Sequence, residues 1–219
     1  MLFSHDFARM KPYAMPFDQM QDLSQLKDLL CQRSVQLGDF TLASGEKSHV
    51  YVDAKLTTLR AEAMPMIGRV FLNKMRERSW FPNAVGGLTV GADPIAVAIA
   101  RESILDGPVR AFIVRKEPKK HGMCRFIEGL EEHDAAGLPV VIIDDVCTKG
   151  GSTAQAIEKA KQAGMNVVGA ICLVDRGQGA AELLREKFGL ALASIFTLAD
   201  LIAHKNESRA ATQPIEAAV

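Results

Sequence analysis

Two adjacent carboxylates followed by a turn of small residues are the part of this chain best suited to chemistry. They are Asp144 and Asp145, then Thr148, Lys149, Gly150, Gly151, Ser152 and Thr153. A Gly/Ser/Thr turn that opens a helix presents unpaired backbone N–H groups and the positive end of the helix dipole, which suits a phosphate. Asp144 and Asp145 cannot ligate that phosphate, because like charges repel. They suit hydroxyl groups, or a metal beside the phosphate. A molecule with a phosphate, a diol and a nearby cation is a sugar phosphate. The same residues also occur in plain strand-to-helix turns, where Asp, Ser and Thr act only as caps. The spacing matches neither G-x-x-x-x-G-K-[ST] nor G-x-G-x-x-G.

Positioning these residues requires a strand before them and a helix after them. Val140, Val141, Ile142 and Ile143 form an apolar, mostly β-branched run too short for a helix, and predict a buried strand ending at the two acids. Ala156, Ile157 and Ala160 have helical spacing, and the helix is expected to run to about residue 163. Ligands of open α/β sheets sit outside the carboxyl ends of strands, where this turn falls.

The other elements follow from the same patterns. Leu23, Leu26, Leu29 and Leu30 predict a core-facing helix over 22–35, with Asp22 or Ser24 as its cap. Phe40 and Leu42, then Val50 and Val52, alternate on either side of Ser44 and Gly45, as in a β-hairpin. Residues 62–78 read as a helix with Pro65 in its first turn. Its apolar stripe is Ile67, Val70, Phe71 and Met75, and Arg69, Lys74, Arg76 and Arg78 are placed on its solvated face. Residues 83–94 read as a short strand, a glycine-rich loop at Gly86, Gly87 and Gly91, and the start of a helix continuing through Ile95, Val97, Ala98 and Ile99. A strand over 110–114 leads into a basic stretch containing Arg115, Lys116, Lys119, Lys120 and His121. Standing alone, such a loop is a solvated surface. A β-branched strand over 166–174 ends at Asp175 and Arg176. A helix over 180–188, a strand over 194–196 and a capped helix over 197–203 complete the pattern.

Four of these segments together resemble a known family. The strand, paired acids and T-x-G-G-S turn are similar to the motif with which type I phosphoribosyltransferases bind 5-phospho-α-D-ribosyl 1-diphosphate (PRPP). The segment F-T-L-x-S-G-x-x-S-x-x-Y-x-D, from Phe40 to Asp53, resembles the N-terminal signature of the orotate phosphoribosyltransferases. Arg115, Lys116, Lys119 and His121 match their catalytic loop, R-K-x-x-K-x-H-G, and Arg176 stands in a D-R-x-x-G segment. The resemblance implies an α/β type I phosphoribosyltransferase fold, a mostly parallel twisted sheet flanked by helices, with a small N-terminal hood over about 22–60. It implies one domain over 22–203, between an extension (1–21) and a tail (204–219).

The implied reaction is transfer of the phosphoribosyl group of PRPP to orotate, giving orotidine 5′-monophosphate and pyrophosphate in pyrimidine biosynthesis. Arg115, Lys116, Lys119 and His121 would be catalytic. Asp144, Asp145, Thr148, Lys149, Gly150, Gly151, Ser152 and Thr153 would bind PRPP, the acids through the ribose hydroxyls and the turn through the 5′-phosphate. Arg176, Tyr51 and Thr148 would bind orotate. Mg²⁺ would be held mainly by PRPP, with Asp144 and Asp145 nearby and no dedicated side-chain ligand. The partner would be a second copy, a homodimer in which the loop reaches the neighbouring site. The chain departs from some members of the family by having Ala43, and Ala92 or Asp93, where they carry lysines, and Lys120 where an acid is common. A salvage enzyme for a neutral base would keep the PRPP motif but has no need of Arg176 or the hairpin. A PRPP-sensing regulator would be expected to lack the cationic loop.

Length and composition agree with a single soluble globular domain. The chain has 219 residues, 48% hydrophobic and 24% charged, with zero formal net charge. That balance gives no global attraction to nucleic acid or membrane. Cys31, Cys124, Cys147 and Cys172 are far apart and form no zinc-ligand pair, so reduced thiols in the cytoplasm are expected. No apolar run approaches a membrane span, and residues 1–20 lack the apolar core of a signal peptide.

Overall fold

The computed structural model describes residues 19–41, 47–105, 107–118 and 126–212. Ala43, Ser44, Gly45, Lys119, Lys120 and His121 therefore lie outside the described residues. The chain starts with α1 (Gln19–Leu29), which runs into a π-helical turn at Leu30–Ser34, and then forms the antiparallel hairpin β1 (Val35–Thr41) and β2 (Lys47–Val52). The short α2 (Lys55–Thr58) leads to α3 (Ala63–Glu77). The main sheet follows: β3 (Ala84–Leu88), α4 (Asp93–Glu102), β4 (Arg110–Val114), β5 (Ile127–Glu128), α5 (Glu132–Ala135), β6 (Pro139–Cys147), α6 (Gly151–Gln162), β7 (Asn166–Asp175), α7 (Ala180–Phe188), β8 (Leu192–Thr197) and α8 (Leu198–Thr212).

The main sheet has the order β5-β4-β3-β6-β7-β8, and all its pairings are parallel except β4 with β5. Both faces are buried, which is why its central strands read as apolar runs rather than alternating ones. Alternation within β6 still sorts the side chains. Val141 and Ile143 join the core beneath α1, α3 and α4, whereas Val140 and Ile142 pack with Ala156, Ile157 and Ala160 of α6. From β3 the chain moves outward to β4, then returns to place β6 on the other side of β3. The gap between the carboxyl ends of β3 and β6 is thus a topological switch point, the usual ligand position in such sheets.

Several expectations need correction. β6 does not stop at the paired acids. It continues to Cys147 because β7 keeps pairing with it, Asp144 opposite Cys172 and Cys147 opposite Asp175. Gly86 and Gly87 lie inside β3, not in a loop, and a Cβ on Gly87 would fall 1.9 Å from the Ile143 carbonyl oxygen. Arg69 is not solvated. Its guanidinium forms a two-pronged pair with Asp22 at 2.7 Å on both bonds, and Asp22 is a buried partner rather than a cap. Finally, α8 runs to Thr212, past the expected end at residue 203. Its start is capped as expected, the Thr197 hydroxyl accepting from Asp200 N–H and the Asp200 carboxylate accepting from Thr197 N–H.

Candidate active site

The cradle is built where β6 hands over to α6. Gly150 takes a left-handed conformation (φ 78°) that a side chain rarely adopts, and this turns the chain sharply from strand to helix. The first helical bond of this turn runs from Ala154 N–H to the Gly150 carbonyl. The N–H groups of Gly151, Ser152 and Thr153 thus have no acceptor within the helix and point out of its N-terminus. A Cβ on Gly151 would meet nothing within 4 Å, so the cradle is open there. Thr148 is half-buried and Lys149 exposed beside it.

Paired in sequence, the two acids have different surroundings. Asp144 is only 4% exposed. One of its oxygens accepts hydrogen bonds from the hydroxyls of Ser152 (2.7 Å) and Thr153 (2.6 Å), and the other from Asp145 N–H (3.0 Å). Burial pushes its pKa from 3.8 up to about 6; the two hydroxyls oppose the shift and the Asp145 charge adds to it. Asp144 therefore ties the first turn of α6 to the end of β6. The expected hydroxyl donors to a phosphate, Ser152 and Thr153, are turned inward to it, which leaves the backbone N–H groups facing out. Asp145 is the acid that reaches the cleft.

Two neighbours frame Asp145. The loop from β3 to α4 passes so close that a Cβ on Gly91 would fall 2.4 Å from an Asp145 carboxylate oxygen. Lys55 Nζ, at the start of α2, lies 3.7 Å from Asp145 Oδ2 and 2.9 Å from Asp53. The hydrogen bond to Asp53 raises the Lys55 pKa; burial opposes this, and the Asp145, Asp53 and Tyr51 charges support it. Sequence reasoning gave Lys55 no role. Its partner Asp145 is remote in the chain, and only its position two residues after Asp53 hints at it.

Arg176, just after β7, connects the sheet to the hairpin. Its Nη2 donates to Ser48 Oγ at 3.3 Å and to the Val50 carbonyl at 3.5 Å, and its Nε is buried with no partner. A guanidinium with an unpaired, desolvated N–H is primed for an anionic acceptor. Tyr51 is not brought to Arg176. Strand alternation places it on the opposite face of β2 from Ser48 and Val50, 41% exposed and stacked against Phe40 with ring centroids 5.6 Å apart. Ser48, a fixed position of the hairpin signature, is thus a second residue to which sequence reasoning gave no role.

The stem of the basic loop is held by β4 and β5. Arg115 N–H donates to the Phe126 carbonyl at 2.8 Å, and its guanidinium lies 3.5 Å from Glu128. Arg115 and Lys116 share an open cavity of about 540 Å³ with Thr89 and Val90, so the stem borders the β3–α4 loop. The Lys159 ammonium, on α6, lies 3.5 Å from the centre of the Phe126 ring. Lys119 and His121 belong to the part of this loop outside the described residues.

Among the described residues, no group of three or more His, Cys, Asp or Glu converges as a metal cage. Mg²⁺ usually keeps several waters and binds through one or two carboxylates and substrate phosphates. Asp145, whose side chain is 15% exposed beside the open N-terminus of α6, fits that mode of binding.

Comparison with known proteins gives a consistent answer. Residues 60–191 match the phosphoribosyl transferase domain family. An orotate phosphoribosyltransferase of Aquifex aeolicus (strain VF5) is 41% identical over 84% of this chain and 99% of that protein. Another, from Mycobacterium leprae (strain TN), is 42% identical over 82% of this chain and 96% of that one. The crystal structure of the Mycobacterium tuberculosis H37Rv orotate phosphoribosyltransferase in complex with PRPP superposes with a TM-score of 0.67 at 36% identity. It covers 82% of this chain and 98% of that one.

Proposed function

Because the chain belongs to the orotate phosphoribosyltransferase family, it transfers the phosphoribosyl group of PRPP to orotate in pyrimidine biosynthesis, and we propose that the cleft at the ends of β3, β6 and β7 is where it does so. The single observation that carries this assignment is the buried, unpaired Nε of Arg176 beside a helix N-terminus with open N–H groups.

In this reading the N–H groups of residues 151–153, with Thr148 and Lys149, hold the 5′-phosphate. Asp145 holds the ribose diol. Asp144 keeps Ser152 and Thr153 in place rather than facing the ribose. Arg176 takes the orotate carboxylate, with Ser48 and the Val50 carbonyl, rather than Tyr51, completing the hood side. Orotate is already anionic, so no strong general base is needed. The barrier lies in parting pyrophosphate from C1′, where positive charge develops on the sugar. Lys116 and Arg115 on the loop stem, with Lys119 and His121, stabilise the departing charge, and His121 or Lys119 protonates it. Mg²⁺, held by the substrate oxygens and Asp145, would neutralise part of that charge. Closure of the loop excludes water, which competes with orotate for C1′.

The reading includes a homodimer and a cytoplasmic setting. Leu56, Leu59, Val90 and Val97 are large apolar side chains 47–61% exposed, on α2, α4 and the segments that follow α2 and precede α4. They support contact with a second copy. Cys31, Cys147 and Cys172 are buried free thiols, which supports a reducing compartment. No helix among the described residues is long and apolar enough to cross a membrane. The decisive experiment follows orotate absorbance after addition of PRPP and Mg²⁺, with uracil and hypoxanthine as alternative acceptors. Loss of orotate alone is expected. Consumption of uracil or hypoxanthine in its place would point to a salvage enzyme.

A further inference from the structure

We propose that Lys55 supplies the pyrophosphate-facing cation that the β3–α4 loop of this chain lacks, reaching the leaving group of PRPP beside Asp145. The inference rests on the reading of the cleft given above. Residues 89–93 are Thr89, Val90, Gly91, Ala92 and Asp93, with no cation among them. Asp93 adds a negative charge. One of its oxygens accepts from the Thr89 hydroxyl at 2.6 Å, and the other is buried without a partner. Gly91 of this loop abuts Asp145, so the pyrophosphate of a substrate whose diol is held there would lie against the loop, and its several negative charges need positive charge from another element.

Lys55 is placed to give it. Gly91 abuts the Asp145 carboxylate, so the loop and the diol-holding acid form one continuous surface. The Lys55 ammonium stands at the edge of that surface, 3.7 Å from Asp145 Oδ2. A substrate that spans from its diol at Asp145 to its pyrophosphate at the loop passes beside it. Asp53 aims the side chain, accepting both the ammonium at 2.9 Å and the Lys55 N–H at 3.1 Å. Its side chain is 44% exposed, so an incoming oxyanion can reach it. An ion pair this exposed adds little to stability, so structural support alone does not account for the arrangement. A compact ammonium suits a polyphosphate, whose charge is spread over several oxygens. The other cations have other posts: Arg176 faces the hood, and Arg115 and Lys116 stand on the loop stem.

The test compares wild type with Lys55→Met, Lys55→Gln and Lys55→Arg in both reaction directions. Three ligands separate the contacts: pyrophosphate (reverse reaction), ribose 5-phosphate (a competitive inhibitor with phosphate and diol but no pyrophosphate) and orotate. Lys55→Met and Lys55→Gln are expected to raise KM for pyrophosphate and PRPP about tenfold or more, the scale of a hydrogen bond to a charged group. Inhibition by ribose 5-phosphate and KM for orotate should stay within about twofold, and Lys55→Arg should recover most of the loss. Unchanged pyrophosphate use overturns the proposal. So does an equal loss for ribose 5-phosphate, since Lys55 would then act only on Asp145. If Lys55→Met melts below the assay temperature, Lys55→Gln supplies the same comparison. Failure of the underlying reading looks different: wild type itself would not consume orotate.

Discussion

Arg176 and Asp144 show how little a residue's type says about its task until its neighbours are known. Both are ionisable groups towards the carboxyl end of a strand, Asp144 within β6 and Arg176 just past β7. Arg176 keeps a buried N–H unpaired, whereas Asp144 uses both oxygens within the protein. Arg176→Ala is therefore expected to raise KM for orotate by about a hundredfold while changing KM for PRPP much less, the scale of a lost two-pronged carboxylate contact. Equal effects on both constants would argue against the carboxylate role. For Asp144 the expectation concerns stability against pH. Its folded pKa, about 6, lies above its ordinary 3.8, so the folded state binds the proton more tightly than the unfolded chain does. Its contribution to stability is complete below the unfolded value and is lost as pH rises through the folded one. The stability of wild type relative to Asp144→Asn should thus fall by on the order of 2 kcal/mol between about pH 4 and pH 7. Denaturant melts of both proteins across that range measure it, and a flat difference would mean that burial does not shift this carboxyl.

At the scale of elements, α6 and α8 do more than cover the sheet. The N-terminus of α6 forms the cradle, and Lys159, two turns along, sits on the Phe126 ring at the root of the basic loop. One helix thus reaches from the β6–α6 turn to the stem of the basic loop. Lys159→Met should lower kcat about two- to fivefold with little change in melting temperature, in keeping with a partly exposed cation–π contact of ~0.5–1 kcal/mol. An unaltered kcat would show that the loop does not need this support. α8 returns across the molecule to α1. Lys205 donates to the Cys31 carbonyl and to the Val35 carbonyl (2.6 Å), and His204 pairs with Asp28 at 2.6 Å. The amine satisfies one carbonyl within the π-helical turn and one just after it, where the chain enters the hairpin. Lys205→Met is expected to destabilise the fold by about 2 kcal/mol without affecting KM for either substrate. Denaturation and steady-state kinetics on the same preparation test both halves of that statement.

At the scale of the whole molecule, the cleft gathers segments that are far apart in the chain: hairpin and α2, β3–α4 loop, loop stem, β6–α6 cradle and the end of β7. If the basic loop serves the site of a second copy, two different defects can complement each other. Lys119→Ala spoils the loop and Asp145→Asn spoils the cleft. Refolding them as a mixture should restore about a quarter of wild-type activity, because half of randomly paired dimers hold one intact composite site out of two. Activity that stays at the level of the separate variants would mean that each chain completes its own site.

Much of this organisation was legible before any coordinates. Apolar runs such as Val140 to Ile143 demand burial on both faces, and the 150–151 glycine pair demands a sharp turn, so the strand, cradle and helix follow from local physics. The likeness of four separated motifs to one family then named both substrates. What local physics could not supply was the sharing of tasks among charges, because that depends on desolvation and on partners distant in sequence. Sequence treats Asp144 and Asp145 alike, yet the close pairing of β6 with β7 buries one and leaves the other at the cleft. It treats Arg69 as solvated, yet α1 delivers Asp22 to it. Lys55 had only the nearby Asp53 to hint at it until α2 came to rest beside Asp145. Periodicity and turn chemistry wrote the elements into the chain; only their packing decided which charges face a substrate and which hold the protein together.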